Sequence, residues 1–114
     1  MIFRKQGLEV YIYSKPIDMR WGFDRLTGLA KSNFSMQTIL DGHIFVFLGK
    51  NRKRIKILFF DGTGLILLIK RLSDGRFMWV ENIEVEKVSF KELEQLLHGS
   101  HLRRATLGTM PKSA

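Results

Sequence analysis

The chain has 114 residues, 45% of them hydrophobic, which is enough for one packed core and too few for two domains of ordinary size. Nineteen lysines and arginines against eleven acidic residues give a net charge of +8, favouring an acidic partner, with nucleic acid ahead of an anionic membrane surface. Cysteine is absent, which excludes disulfides and thiolate metal sites, and no apolar run approaches the roughly 18 residues of a membrane span, so a soluble, cytoplasmic protein is expected.

Leu8 to Tyr13 alternates Leu8, Val10 and Ile12 with Glu9, Tyr11 and Tyr13, the period of a strand with one buried face that Pro16 should end. Asp18 is placed to cap a helix over about 19 to 32, with Met19, Phe23, Leu26 and Ala30 at helical spacing. Gly22 and Gly28 weaken that helix by roughly 1 kcal/mol each relative to alanine, so packing must hold it. Residues 33–42 read as a polar connection ending in the turn pair Asp41-Gly42.

Three strands should follow, His43 to Leu48, Arg54 to Phe60 and Leu65 to Lys70, joined by residues 49–53 and by Asp61-Gly62-Thr63-Gly64. Connections this short join antiparallel neighbours, because a parallel crossover needs about a dozen residues or more. After the turn at Asp74-Gly75 a further strand is expected over Arg76 to Val80, and Val85 to Val88 suits a short edge strand. Ser89 with Glu92 has capping-box spacing; Phe90, Leu93, Leu96 and Leu97 form one stripe, and Gly99 ends a helix over about 90 to 98. The expected fold is therefore α+β, an antiparallel meander packed on two helices over residues 1–99, with a basic, flexible tail over 100–114.

Charge is distributed unevenly. Lys50, Arg52, Lys53, Arg54 and Lys56 crowd the junction of two apolar runs, as though presented at a hairpin tip, whereas residues 81–99 hold five acidic and two basic side chains. Arg54 and Lys56 share a strand face, so the charge should continue down from the loop. Arg71 and Arg76 flank the Asp74-Gly75 turn, which in a meander lies at the same sheet end as the hairpin tip. These cations, with Arg20, are the candidate nucleic-acid contacts, because lysine and arginine neutralise phosphates and release counterions. A solvated turn that merely keeps the chain soluble accounts for the same residues without function.

Other constellations have sufficient structural explanations. An i to i+4 pair would occupy Arg20 and Asp24. Trp21 and Trp79 could stack on bases, and burial explains them as well. Asp18 reads as a cap, and Asp61 and Asp74 precede glycines in turns, leaving no carboxylate cluster for a metal-dependent nuclease. His43, His98 and His101 match no metal-ligand spacing, and Gly62-Thr63-Gly64 precedes no helix and so forms no phosphate cradle. No enzyme activity, cofactor or metal is expected.

Three blocks occur in the order of a known pattern: Asp18-Met19-Arg20-Trp21-Gly22-Phe23-Asp24-Arg25-Leu26; Phe45 to Gly49 with Ile55 to Leu65; and Lys70-Arg71-Leu72 with Gly75-Arg76-Phe77-Met78-Trp79. They resemble the accessory transposition proteins called TnpB of the insertion sequence sixty-six family, products of its second open reading frame, over roughly residues 8 to 99. These are distinct from the much longer RNA-guided nuclease of the same name. Two positions depart from that pattern: Leu48 stands where the family usually has a basic residue, and Phe59-Phe60 where it favours tryptophan. The resemblance implies a small bacterial, non-catalytic accessory protein, encoded beside the transposase of an insertion sequence and needed for its transposition, with no well-defined activity of its own. The charge placement, and not the resemblance, adds the element's DNA ends as an expected partner beside the transposase. A homo-oligomer is compatible with it. The alternative is a protein-protein adaptor of the transposase that makes no nucleic-acid contact.

Overall fold

A computed structural model describes residues 7–78 and 85–99. Its elements in chain order are β1 (Val10–Ile17), α1 (Phe23–Asn33), α2 (Met36–Leu40), β2 (Ile44–Gly49), β3 (Arg54–Phe60), β4 (Leu65–Arg71), β5 (Val85–Val88) and α3 (Phe90–His98). The strands form one sheet in the order β4-β3-β2-β1-β5.

The α+β class holds, and β2, β3 and β4 form the antiparallel meander that their short turns require. The sheet as a whole is mixed, because β1 runs parallel to β2. Residues 18–43, with α1 and α2, supply the crossover that a parallel pair needs. β1 also runs through Pro16 to Ile17, its register with β2 shifting after Tyr13, so the proline sits at an irregularity where no regular ladder bond is lost. β5 pairs antiparallel with β1 and forms the second sheet edge.

The period-2 pattern of the strands divides the core in two. Val10, Ile12, Val46, Ile55 and Phe59 point to one face, where Leu93 and Leu96 of α3 cover them. Phe45, Phe47 and Leu58 point to the other, beneath Leu26 and Ala30 of α1 and Ile39 of α2. The sheet thus lies between two helical layers, and every residue of central β2 is buried.

Helix ends follow local hydrogen bonding. The Ser89 hydroxyl accepts from the Glu92 amide at 3.0 Å and the Glu92 carboxylate accepts from the Ser89 amide at 2.9 Å, the capping box expected from the sequence. Gly99 takes φ 109°, a conformation that L side chains resist, and stops the helix there. α1 starts four residues later than its pattern predicts. Asp18 does not cap it, because its carboxylate is engaged by Arg20, and the N-cap is Gly22. α2 forms within the polar connection over residues 33–42 instead of a loop: Ser35 caps it, accepting from the Thr38 amide at 3.1 Å, and it buries Ile39.

Residues 76–78 form no strand. The remainder of the expected Arg76 to Val80 strand, Trp79, His101 and the 100–114 tail lie outside the described residues.

Candidate nucleic-acid interface

Topology gathers three connections at one end of the sheet. Parallel β1 and β2 both finish there, with Ile17 paired to Gly49; β3 begins there and β4 ends there, with Arg54 paired to Arg71. The β1–α1 loop, the β2–β3 loop and the segment after β4 therefore meet. The Leu72 amide donates to the Lys53 carbonyl at 2.9 Å, and the Phe77 amide to the Arg52 carbonyl at 2.6 Å, tying the last two together. In the β2–β3 loop the Arg52 amide donates to the Gly49 carbonyl and the Lys53 amide to the Asn51 side chain, and Arg52 itself adopts φ 63°.

Arg20, Lys50, Arg52, Lys53, Arg54, Arg71 and Arg76 all lie at this end, with Arg20, Lys50, Arg54, Arg71 and Arg76 exposed and Arg52 and Lys53 half-buried. Arg54 and Arg71 stand directly opposite each other across β3 and β4, a like-charge pairing that destabilises a sheet unless an anion or solvent screens it. Among the described residues, the acidic side chains on these connections are Asp18 and Asp74. The opposite end of the sheet carries Glu9, Asp41 and Asp61.

An open cleft of about 410 Å³ lies at the basic end, lined by Ile17, Asp18, Met19, Arg20, Lys50, Asn51 and Arg54. Arg20 is aimed by Asp18: its Nη2 donates to one carboxylate oxygen at 2.6 Å and its Nε to the other at 3.0 Å, while the Arg20 amide donates to the same carboxylate at 2.9 Å. The side-chain hydrogen bond from Arg20, then the one from its amide, hold the Asp18 carboxyl far below the usual carboxylate range. The Arg20 side chain nevertheless remains 90% exposed, so its remaining guanidinium donors face solvent. The Arg20–Asp24 pair expected from helical spacing does not form, because Arg20 precedes the helix.

Lys56 corrects the sequence reading. It does share the Arg54 face of β3, but at that depth the β1–α1 loop covers the sheet, leaving Lys56 6% exposed. Its ammonium donates to the carbonyls of Met19 at 2.6 Å and Trp21 at 2.7 Å. Lys56 is thus an internal clamp on the loop that carries Arg20, and the exposed charge stops at Arg54. Gly49 contributes to the same contact, since a Cβ there would lie 2.8 Å from Met19 Cγ.

The aromatic platform is also closed. Trp21 is half-buried and Arg25 lies over its ring at 4.4 Å, a cation–π contact that occupies that face. Lys70 donates to the Leu97 carbonyl at 2.7 Å and closes the C-terminal end of α3. His43 accepts from the Glu9 amide at 2.9 Å. Among the described residues, no group of three or more His, Cys, Asp and Glu side chains could hold a metal ion, and no helix is long and apolar enough to cross a membrane. Sequence reasoning missed Asn51 as a cleft residue and Asp18 as the orienting partner of Arg20. The spacing Asp18-x-Arg20 was the available signal.

The family model described as IS66 Orf2 like protein matches residues 8–106. The uncharacterized protein y4hO of Sinorhizobium fredii (strain NBRC 101917 / NGR234) is 38% identical over 74 residues, 65% of this chain and 64% of that protein. The uncharacterized protein y4jC of the same organism is 34% identical over 79 residues, 69% of this chain and 67% of that protein. The chain thus spans about two thirds of the length of the curated relatives it matches. No solved structure matches it. A match over most of the chain places this protein in the IS66 Orf2-like family.

Proposed function

We propose that this protein assists transposition by holding the element's DNA through the basic end of its sheet, without catalysing a step itself, while cooperating with the transposase. One observation carries the reading: cations distant in sequence, Arg20, Lys50 to Arg54 and Arg71, converge on one end through three different connections. A chain that needed charge only for solubility has no reason to place two arginines opposite each other beside a third cationic loop. Arg54 and Arg71 sit on paired strand ends, which spares them part of the ordering entropy of a disordered basic tail, and Asp18 holds Arg20 so that its remaining guanidinium donors can meet a phosphate.

The mechanism is electrostatic. Each phosphate neutralised releases condensed counterions, so four to six contacts give a slope of log affinity against log salt of about −4 to −5. Fluorescence anisotropy with a labelled duplex from an element end, at two salt concentrations, tests this. Binding should weaken about a hundred- to a thousandfold between 50 and 200 mM salt. The double variant Arg54→Glu/Arg71→Glu should remove it while the fold remains intact. Absent or salt-insensitive binding rejects the DNA reading, and retention of the transposase by the DNA-blind chain would identify an adaptor.

A further inference from the structure

In an antiparallel strand, alternate residues direct both backbone hydrogen-bonding groups to one side. The Leu72 amide bonds to Lys53 and the Gly64 carbonyl to the Asp61 amide, so with the β3–β4 register Ile66, Leu68 and Lys70 bond inward to β3. The N–H and C=O groups of Leu65, Leu67, Ile69 and Arg71 consequently point outward from the sheet edge. No element among the described residues pairs with this edge. It is also apolar on both faces, with Leu68 42% and Ile69 59% exposed. Such an edge is normally blunted by charge, proline or a bulge, and from Leu65 to Ile69 this one has none of them.

We propose that β4 pairs antiparallel with β4 of a second copy of this chain, in a two-fold register centred on Leu67. Charge placement selects that occupant. β4 carries Lys70 and Arg71 at one end only, and the turn beyond its other end carries Asp61. Antiparallel pairing about Leu67 sets Leu65 against Ile69 of the second copy and Arg71 against Thr63 of the second copy, beside the Asp61 carboxylate. A parallel arrangement would instead stack Arg71 on Arg71. The same two-fold sets Leu68 beside Ile66 of the second copy on the α3 face, covering the exposed apolar surface.

The resulting ten-stranded sheet directs its two basic ends in opposite directions. Resting on the DNA-binding reading, the dimer would hold two duplex segments at once.

Sedimentation of the full chain should show a monomer–dimer equilibrium populated at concentrations of about 100 μM. Ile69→Pro removes an outward N–H in each copy without touching the β3 ladder and should weaken association about tenfold or more. Ile69→Lys, which leaves every β3 hydrogen bond intact, should do the same because it sets an ammonium against the apolar Leu65 of the second copy. Since the chain has no cysteine, Leu67→Cys reports the register directly, forming an intermolecular disulfide on mild oxidation where the control Ser32→Cys does not. A chain that remains monomeric at that concentration, or a dimer unaffected by the Ile69 variants with no Leu67→Cys cross-link, overturns the proposal. For the DNA consequence, a bead-bound duplex should retain a second labelled duplex with the native chain and not with Ile69→Pro. A dimer that binds no DNA counts against the DNA reading and leaves the β4 pairing standing.

Discussion

Replacing Lys56 with methionine separates an internal clamp from a DNA contact. Methionine keeps most of the stem that packs under the β1–α1 loop and removes the ammonium, so the Met19 and Trp21 carbonyls lose donors now at 2.6 and 2.7 Å. Two hydrogen bonds from a charged donor contribute roughly 1.5 to 3 kcal/mol each, and relief from burying the ammonium offsets part of that. The net loss should be about 2 kcal/mol, or on the order of 10 °C in Tm for a domain of this size. Thermal unfolding followed by circular dichroism measures it. In the DNA assay the Lys56→Met salt slope should match that of the native chain, because no phosphate contact has been removed, although affinity falls as the Arg20 loop loosens. Arg54→Met should behave oppositely, with Tm nearly unchanged and the slope reduced by about 1. An unchanged Tm for Lys56→Met together with a shallower slope would refute the clamp and return Lys56 to the interface.

Asp18 supplies a pH signature. Its folded-state pKa lies below the unfolded value, so its contribution to stability is present above about pH 3.9 and is lost as pH falls through the lower folded value. Carbon NMR should show the Asp18 carboxylate still ionised at pH 3, and Arg20→Ala should return its titration towards the ordinary range; titration near 3.9 in the native chain would contradict the bidentate contact. Ser89→Ala removes the side-chain half of the α3 capping box and should destabilise the protein by about 1 kcal/mol in urea unfolding, with no change in the salt slope of DNA binding.

The elements legible in the sequence are those specified by neighbours along the chain. β2, β3 and β4 show as apolar runs between glycine turns, and α3 announces both ends through Ser89, Glu92 and Gly99. Lys56 shows where that logic stops. Period 2 placed it correctly on the Arg54 face, yet what lies over the face is a loop 35 to 37 residues earlier in the chain, and strand periodicity carries no information about that. The start of α1 at Phe23 escapes the local pattern for a related reason. Asp18 is an effective cap in isolation, but the Arg20 guanidinium two residues on is a stronger partner than a helix amide. The parallel placement of β1 was implicit once a helix separated it from β2, since a long connection permits a crossover where a hairpin does not. Even so, the gathering of Arg20 with Lys50, Arg54 and Arg71 depends on that parallel pairing, and so the cleft itself could not be drawn from the pattern of charges alone.

Among the described residues, the cations gathered at one end of the sheet stand opposite Asp41 and Asp61 at the other, where Glu9 is paired with Lys87, so the described part of the chain is electrically asymmetric along its strands. In the field of a polyanion such a body experiences a torque before it experiences a contact, and it approaches with its basic end leading. Fewer encounters are then wasted on wrong orientations, so the charge separation acts on the association rate, over distances of about a Debye length, roughly 8 Å in physiological salt, where no individual hydrogen bond has yet formed.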